Sequence, residues 1–105
     1  RFINKDDESF LPWAKQSYAC MILNLHTQHT PAGIQKTAET LRRLVDIAIK
    51  YGGSYYLTYT KFPLKNQVIA CYPQFEEFLA LKLKHDPTEL FQSDWYRHYS
   101  KVLGS

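Results

Sequence analysis

Glycine and cysteine are both scarce in this sequence, and their scarcity excludes several kinds of site. The four glycines stand at positions 33, 52, 53 and 104 of the 105 residues, so the sequence contains neither a G-x-G-x-x-G nor a Walker phosphate-binding motif. The two cysteines, Cys20 and Cys71, are too few for a disulfide scaffold. No apolar run approaches the roughly 18 residues that a membrane-spanning helix needs, so we expect no membrane span.

Clustered positive charge is also missing. The formal net charge is +3, and the thirteen basic residues are spread along the chain. A nucleic-acid interface usually concentrates lysine and arginine on one face, so we expect no nucleic-acid partner. No signal peptide is recognisable, and the expected location is cytoplasmic.

Aromatic residues are abundant: the chain contains eight Tyr, six Phe and two Trp. Aromatic side chains bury large areas and often line ligand pockets or interfaces, although most of them simply fill a core. With 45% apolar and 22% charged residues, the composition is that of an ordinary globular domain.

The hydrophobic pattern predicts the order strand, helix, strand, helix, helix. Residues 18–27 alternate as a strand, with Ala19, Met21, Leu23 and Leu25 on an apolar face that should meet a helix. Thr30 as N-cap and Pro31 as first residue begin a helix that Gly52 ends in the left-handed conformation. Residues 54–60 are rich in strand-forming tyrosine and threonine, and residues 65–71 favour one or two helical turns.

Two helices are predicted in the C-terminal tail, residues 73–105. Pro73 suits a first helical position, and Phe75, Phe78, Leu79 and Leu83 recur on one helical face. Asp86 and Pro87 stop this helix, and Asp86 is placed to cap a new turn. Ser93 or Asp94 is the expected N-cap of the last helix.

These elements predict an α+β fold with three regions: a lead-in or linker (1–16), a β-α-β portion (17–72) and the helical tail (73–105). Two strands and one covering helix make a poor independent core, and each strand has an edge that needs a partner. The pattern therefore predicts a portion of a larger sheet.

Two linked motifs resemble the C-terminal end of FAD-linked oxidases of the vanillyl-alcohol oxidase type. The first is the Gly-Gly-x-x-Tyr-Leu strand at residues 52–57, and the second is Tyr-Pro-x-Phe at 72–75 followed by Asp-Pro-x-x-Leu-Phe at 86–91. Decaprenylphosphoryl ribose oxidase and many bacterial FAD-binding oxidoreductases share this order, and the resemblance covers roughly residues 9–103.

The resemblance implies the last β-α-β unit of an antiparallel, half-ferredoxin-like cap-domain sheet, which shapes the substrate pocket of an enzyme oxidising a small alcohol by hydride transfer to flavin. FAD would be held mainly by an N-terminal domain that is not in this chain, and the tail would pack on that domain. The chain alone is expected to be inactive, since the cofactor carries the difficult chemistry.

The resemblance also places Tyr56 and Tyr59 over the substrate side of the flavin. Tyr56 matches a tyrosine of the family, whereas Tyr59 stands where decaprenylphosphoryl ribose oxidase has a lysine. A tyrosine can donate a hydrogen bond to a substrate oxygen or accept a proton. Asn24 and His26 share a predicted strand face that could line the same pocket, and Lys61 could meet an anionic group.

Other interpretations remain open. Each candidate residue could instead be an ordinary packed aromatic or a solvated polar side chain, and no histidine spacing predicts a metal site. The chain could also be a stand-alone α+β binding or dimerisation module without catalytic activity. In either case, a chain without its sheet neighbours is expected to self-associate through strand edges or exposed apolar faces.

Overall fold

The computed structural model describes residues 1–104 and has an α+β fold. A two-stranded antiparallel sheet, β1 (Phe2–Ile3) and β2 (Tyr18–Ala19), precedes four helices. These are α1 (Pro31–Lys50), α2 (Lys65–Cys71), α3 (Phe75–His85) and α4 (Asp94–Gly104). In the sheet, Phe2 pairs with Ala19 and Ile3 with Tyr18.

Helix α1 begins and ends at the residues that the sequence predicts. The side chain of Thr30 accepts a hydrogen bond from the Gly33 N–H at 3.0 Å, and Pro31 is the first helical residue. Gly52 follows the helix with φ of +73°, the left-handed conformation that glycine adopts without strain. Ala38 and Val45 on the predicted apolar stripe are buried.

Helix α2 also forms as predicted, with Val68 and Cys71 facing inward and fully buried. The buried side chain of Gln67 joins this helix to α1. Its amide nitrogen donates to the Arg42 carbonyl oxygen (2.8 Å) and to Asp46 Oδ1 (2.7 Å), while its Oε1 accepts from the Leu64 N–H (2.9 Å).

The C-terminal tail contains the two predicted helices with one shift in position. Helix α3 starts at Phe75 and not at Pro73, and Leu83 is 44% exposed although it lies on the predicted apolar face. A turn follows Asp86 as predicted, closed by a hydrogen bond from the Glu89 N–H to the Asp86 carbonyl oxygen (3.0 Å), and the Asp86 carboxylate accepts hydrogen bonds from the Leu90 and Phe91 N–H groups (2.9 and 3.0 Å). Ser93 caps α4 by accepting from the Tyr96 N–H at 3.1 Å.

The predicted strand-helix-strand order is wrong. The first strand covers only Tyr18–Ala19 of the predicted residues 18–27, and residues 54–60 form turns and irregular structure, not a strand. The sheet is completed instead by β1, which lies in the segment predicted as a lead-in. Met21 and Leu23, expected beneath a helix, are 81% and 49% exposed.

The core is built where the helices converge. Phe75 lies at its centre, with its ring 4.9 Å from that of Tyr99 and stacked 5.4 Å from that of Trp95. Val45, Tyr55 and Leu103 complete the buried cluster with the inward residues of α2. Helices α1, α2, α3 and α4 therefore share one core, while the chain between β2 and α1 lies outside it.

Candidate functional site

Three aromatic side chains form a row at the surface, and we call this row the aromatic face: Trp13, Tyr56 and Tyr59. The ring centroids of Trp13 and Tyr56 are 5.2 Å apart, and those of Tyr56 and Tyr59 are 5.5 Å apart, both pairs in tilted contact. Tyr56 is 47% and Tyr59 is 87% exposed. Exposed aromatic rings on a folded surface are a common feature of ligand sites and interfaces.

Buried, hydrogen-bonded tyrosines lie next to the aromatic face. Tyr55, the neighbour of Tyr56, is buried, and its hydroxyl lies 3.3 Å from that of Tyr99. The Tyr72 hydroxyl donates to the carbonyl oxygen of Tyr55. Burial raises the pKa of Tyr55 and of Tyr72 well above the usual tyrosine value, so both stay protonated and act as structural supports.

A cavity of 360 Å³ opens beside the aromatic face. Its walls come from the lead-in segment, the 54–60 turn and the tail: Ser9, Phe10, Leu11, Trp13, Tyr56, Leu57, Thr58, Tyr72, Phe78 and Trp95. A cavity of this size with mostly apolar walls and a few hydroxyl groups matches the usual character of small-molecule sites. The hydroxyl groups of Tyr56 and Tyr59 make no hydrogen bond within residues 1–104 and are free to contact a ligand.

A second depression, which we call the α1 groove, lies on the other side of Trp13 and Tyr56. It has a volume of 530 Å³ and separates the chain around β2 from helix α1. Cys20, Met21 and Leu23 line one side, and the other side is formed by Leu41, Leu44, Ile47 and Ala48 of the helix and by Tyr51, which follows it. The groove is therefore an apolar gap between α1 and residues 19–23, of which Met21 and Leu23 are 81% and 49% exposed.

The structure places the other sequence-predicted candidates apart from the aromatic face. Asn24 and His26 are exposed in the irregular segment after β2, and neither lines the cavity. Lys61 also lies outside the cavity, near α4. The hydrogen bond from Arg97 lowers the pKa of Asp94 and burial lowers the pKa of His98, and the positive charge of Lys61 adds to both effects. Of the five candidates, the structure brings only Tyr56 and Tyr59 together.

Sequence reasoning did not single out Trp13 or the cavity. Trp13 lies in the segment predicted as a lead-in or linker, yet its ring contacts Tyr56 and lines both depressions. The local Leu-Pro-Trp sequence gives no sign of this contact, since the two aromatic residues are far apart in the chain. Their contact depends on the tertiary position of residues 9–14, which the hydrophobic periodicity of the sequence does not predict.

Within residues 1–104, the His, Cys, Asp and Glu side chains form no group of three or more that could hold a metal ion. No helix within the same residues is long and apolar enough to cross a membrane. Comparison of the chain with protein families, curated proteins and solved structures finds no match.

Proposed function

We propose that this chain is the C-terminal substrate-domain, or cap-domain, portion of an FAD-dependent oxidoreductase. The whole enzyme would oxidise a small alcohol-type substrate, with the carbon-bound hydrogen leaving as hydride to the flavin and the hydroxyl proton leaving to a base or solvent. The proposal starts from the linked motifs at residues 52–57, 72–75 and 86–91. The finer assignment, to a half-ferredoxin-like cap sheet, belongs to the same proposal.

One observation carries the functional part of the proposal. Tyr56 and Tyr59, the two residues that the family resemblance assigns to the substrate side of the flavin, have adjacent, exposed rings: Tyr56 lines the apolar cavity, and Tyr59 contacts Tyr56 from outside the cavity wall. In that position, a tyrosine hydroxyl can donate a hydrogen bond to a substrate oxygen or receive its proton. Trp13 adds a flat apolar surface against which a substrate can be held.

The residues of this chain fit one side of a flavin site and not the whole of it. The aromatic face and cavity suit a planar, partly apolar group with hydrogen-bonding edges. The chain has no glycine-rich turn for a pyrophosphate. FAD would supply the two-electron acceptor, and a separate FAD-binding domain would hold most of it. The partner of this chain is then that FAD-binding domain of the same enzyme.

The test is made in the whole protein that contains this chain. We expect its reading frame to encode a glycine-rich flavin-binding segment before Arg1, and the purified protein to show the absorbance band of oxidised flavin. A panel of small alcohols, added without oxygen, should bleach that band. A frame that lacks such a segment, or a protein without flavin, would remove the proposal.

The aromatic face gives the mutational test. Tyr59→Phe should slow anaerobic flavin reduction by about 10²-fold if the hydroxyl takes part in proton transfer, and the flavin content should stay unchanged. Tyr51→Phe is the matched control, because Tyr51 is also largely exposed (77%, against 87% for Tyr59) but lies in the α1 groove and is not part of the aromatic face. Equal rates for the two variants would show that Tyr59 has no role in the reaction.

A stand-alone binding or dimerisation module is the second candidate. It is favoured by the exposed apolar side chains that follow β2, which include Met21 and Ile22 at 81% and 74% exposure. A reading frame that encodes only this domain, together with a protein that binds no flavin, would favour this second function.

A further inference from the structure

The register of the small sheet determines what lies beside the chain after β2. Phe2 pairs with Ala19 and Ile3 with Tyr18 in antiparallel orientation. The ladder continues for one more residue pair. The Arg1 nitrogen donates to the Cys20 carbonyl oxygen at 2.9 Å, and the Cys20 N–H donates to the Arg1 carbonyl oxygen at 2.6 Å. Arg1 and Cys20 therefore form a hydrogen-bonded pair.

Beyond Cys20, residues 21–25 have no strand partner within residues 1–104. The chain from β2 reaches His29 before it makes a turn or bend. Within residues 1–104, no backbone hydrogen bond reaches them. We call residues 21–25 the open edge. A row of unpaired N–H and C=O groups of this kind is a template for another strand.

The side chains of the open edge are also exposed to solvent. Met21 and Leu23 face the α1 groove, yet they are 81% and 49% exposed. Across the groove, Ile47 of α1 and Tyr51, the residue after α1, are also exposed. One strand is too narrow to cover a helix face, and a second strand beside it would widen the sheet over the groove.

We propose that a further stretch of β1 occupies the open edge, supplied by the residues that precede Arg1 in the longer polypeptide. This inference rests on the proposed function only in requiring such a longer polypeptide. Because β1 and β2 are antiparallel, each step before Arg1 pairs with one step after Cys20. The residue immediately before Arg1 faces Met21, the second before it faces Ile22, and the third before it faces Leu23.

The proposed pairing also fixes the hydrogen bonds. Arg1–Cys20 is a hydrogen-bonded pair, so the pair at Met21 is non-hydrogen-bonded, the pair at Ile22 is hydrogen-bonded, and the pair at Leu23 is again non-hydrogen-bonded. The N–H groups of Ile22 and Asn24 then point to the added strand. Those of Met21 and Leu23 point to the opposite edge.

A cysteine pair tests the register in the whole protein. Leu23→Cys is combined with a cysteine at the third residue before Arg1, in a Cys20→Ser background. Cα atoms of a non-hydrogen-bonded antiparallel pair lie about 4.5 Å apart, within the range that a disulfide spans. The control places the second cysteine at Asn24, one residue out of register, where side chains point to opposite faces.

We expect mild oxidation to remove the free thiols of the Leu23 pair within a single chain and to leave those of the Asn24 pair reduced. Hydrogen exchange of the whole protein should show protected Ile22 and Asn24 amides. An equal yield in both pairs, fast exchange at Ile22 and Asn24, or a Leu23 disulfide that joins two copies would each overturn the proposal.

These outcomes are independent of the flavin measurement. A cross-link at Leu23 in a protein without flavin would support the added strand and remove the oxidoreductase function. A flavin enzyme without the cross-link would retain the function and overturn the strand.

Discussion

At the scale of single residues, Gln67 shows how a buried polar side chain joins two helices. It is 2% exposed, and all its hydrogen-bonding partners belong to α1 or to the chain entering α2. We expect Gln67→Leu to lower the free energy of unfolding by about 1–3 kcal/mol, because the Leu64 N–H loses its buried acceptor. Urea unfolding of the chain and its variant measures this difference.

Gln74 provides the matched control for that prediction. It is partly buried just before α3, and its Oε1 has no hydrogen-bond partner within residues 1–104. Gln74→Leu removes an unsatisfied acceptor and not a bonded one, so its effect should be close to zero or stabilising. If the two variants lost equal stability, the hydrogen bonds of Gln67 would not be the reason for its effect.

His98 on α4 makes stability depend on pH. Burial lowers its pKa, as do the charges of Lys61 and Lys101, so the folded protein favours the neutral ring. The unfolded chain therefore binds the proton more readily, and stability is lost as pH falls below about 6.5, the usual histidine value. His98→Asn should flatten the dependence of urea midpoints on pH between about 8 and 5, whereas His29→Asn, an exposed control, should not.

At the scale of elements, Gly33 in the first turn of α1 opposes the usual helix preference. A Cβ added there would lie 2.3 Å from the Gln28 carbonyl oxygen and 2.8 Å from the Gln28 Cβ. Alanine normally stabilises a helix by about 1 kcal/mol relative to glycine. We expect Gly33→Ala to destabilise the protein instead, by about 1–3 kcal/mol, because the backbone at Gln28 has to move. A raised melting temperature of this variant would contradict the close approach.

Helices were predictable from this sequence and strands were not, for a physical reason. A helix satisfies its backbone within itself, so Thr30, Pro31 and Gly52 were enough to define α1. A strand needs the N–H and C=O groups of another segment. Residues 54–60 have strand-forming side chains but no neighbouring strand within residues 1–104. They form turns and irregular structure in which Tyr55 is buried and its carbonyl oxygen accepts a hydrogen bond from the Tyr72 hydroxyl.

The residues of the candidate site also differ in whether local sequence or the tertiary fold determines their position. Tyr56 and Tyr59 were identified from a local motif, and their ring contact needs only a short stretch of chain. Asn24 and His26 were expected to line the same pocket from one face of a strand in the predicted sheet. That sheet does not form within residues 1–104, so Asn24 and His26 lie outside the cavity. Trp13 belongs to the aromatic face through its contact with Tyr56, and this contact between distant residues depends on the tertiary fold.

At the scale of the whole molecule, the open edge and the α1 groove make the chain prone to association. A long apolar edge without a partner pairs readily with another copy. We therefore expect sedimentation equilibrium of the 105-residue chain to show association that increases with protein concentration. Ile22→Lys should weaken it, because a charge on the open edge disfavours strand addition, while Leu90→Lys serves as control, since Leu90 is equally exposed on the loop before α4.

The same edge should behave differently in the longer protein. If the residues before Arg1 pair with residues 21–25, the edge is occupied, and Ile22→Lys should reduce the stability of the whole protein without altering its association. A 105-residue chain that stays monomeric at all concentrations, with slow amide exchange at Ile22, would contradict both expectations. That result would mean that the open edge is protected by the chain itself. The proposal that an added strand pairs with the open edge would then be overturned, whatever the flavin content of the whole protein.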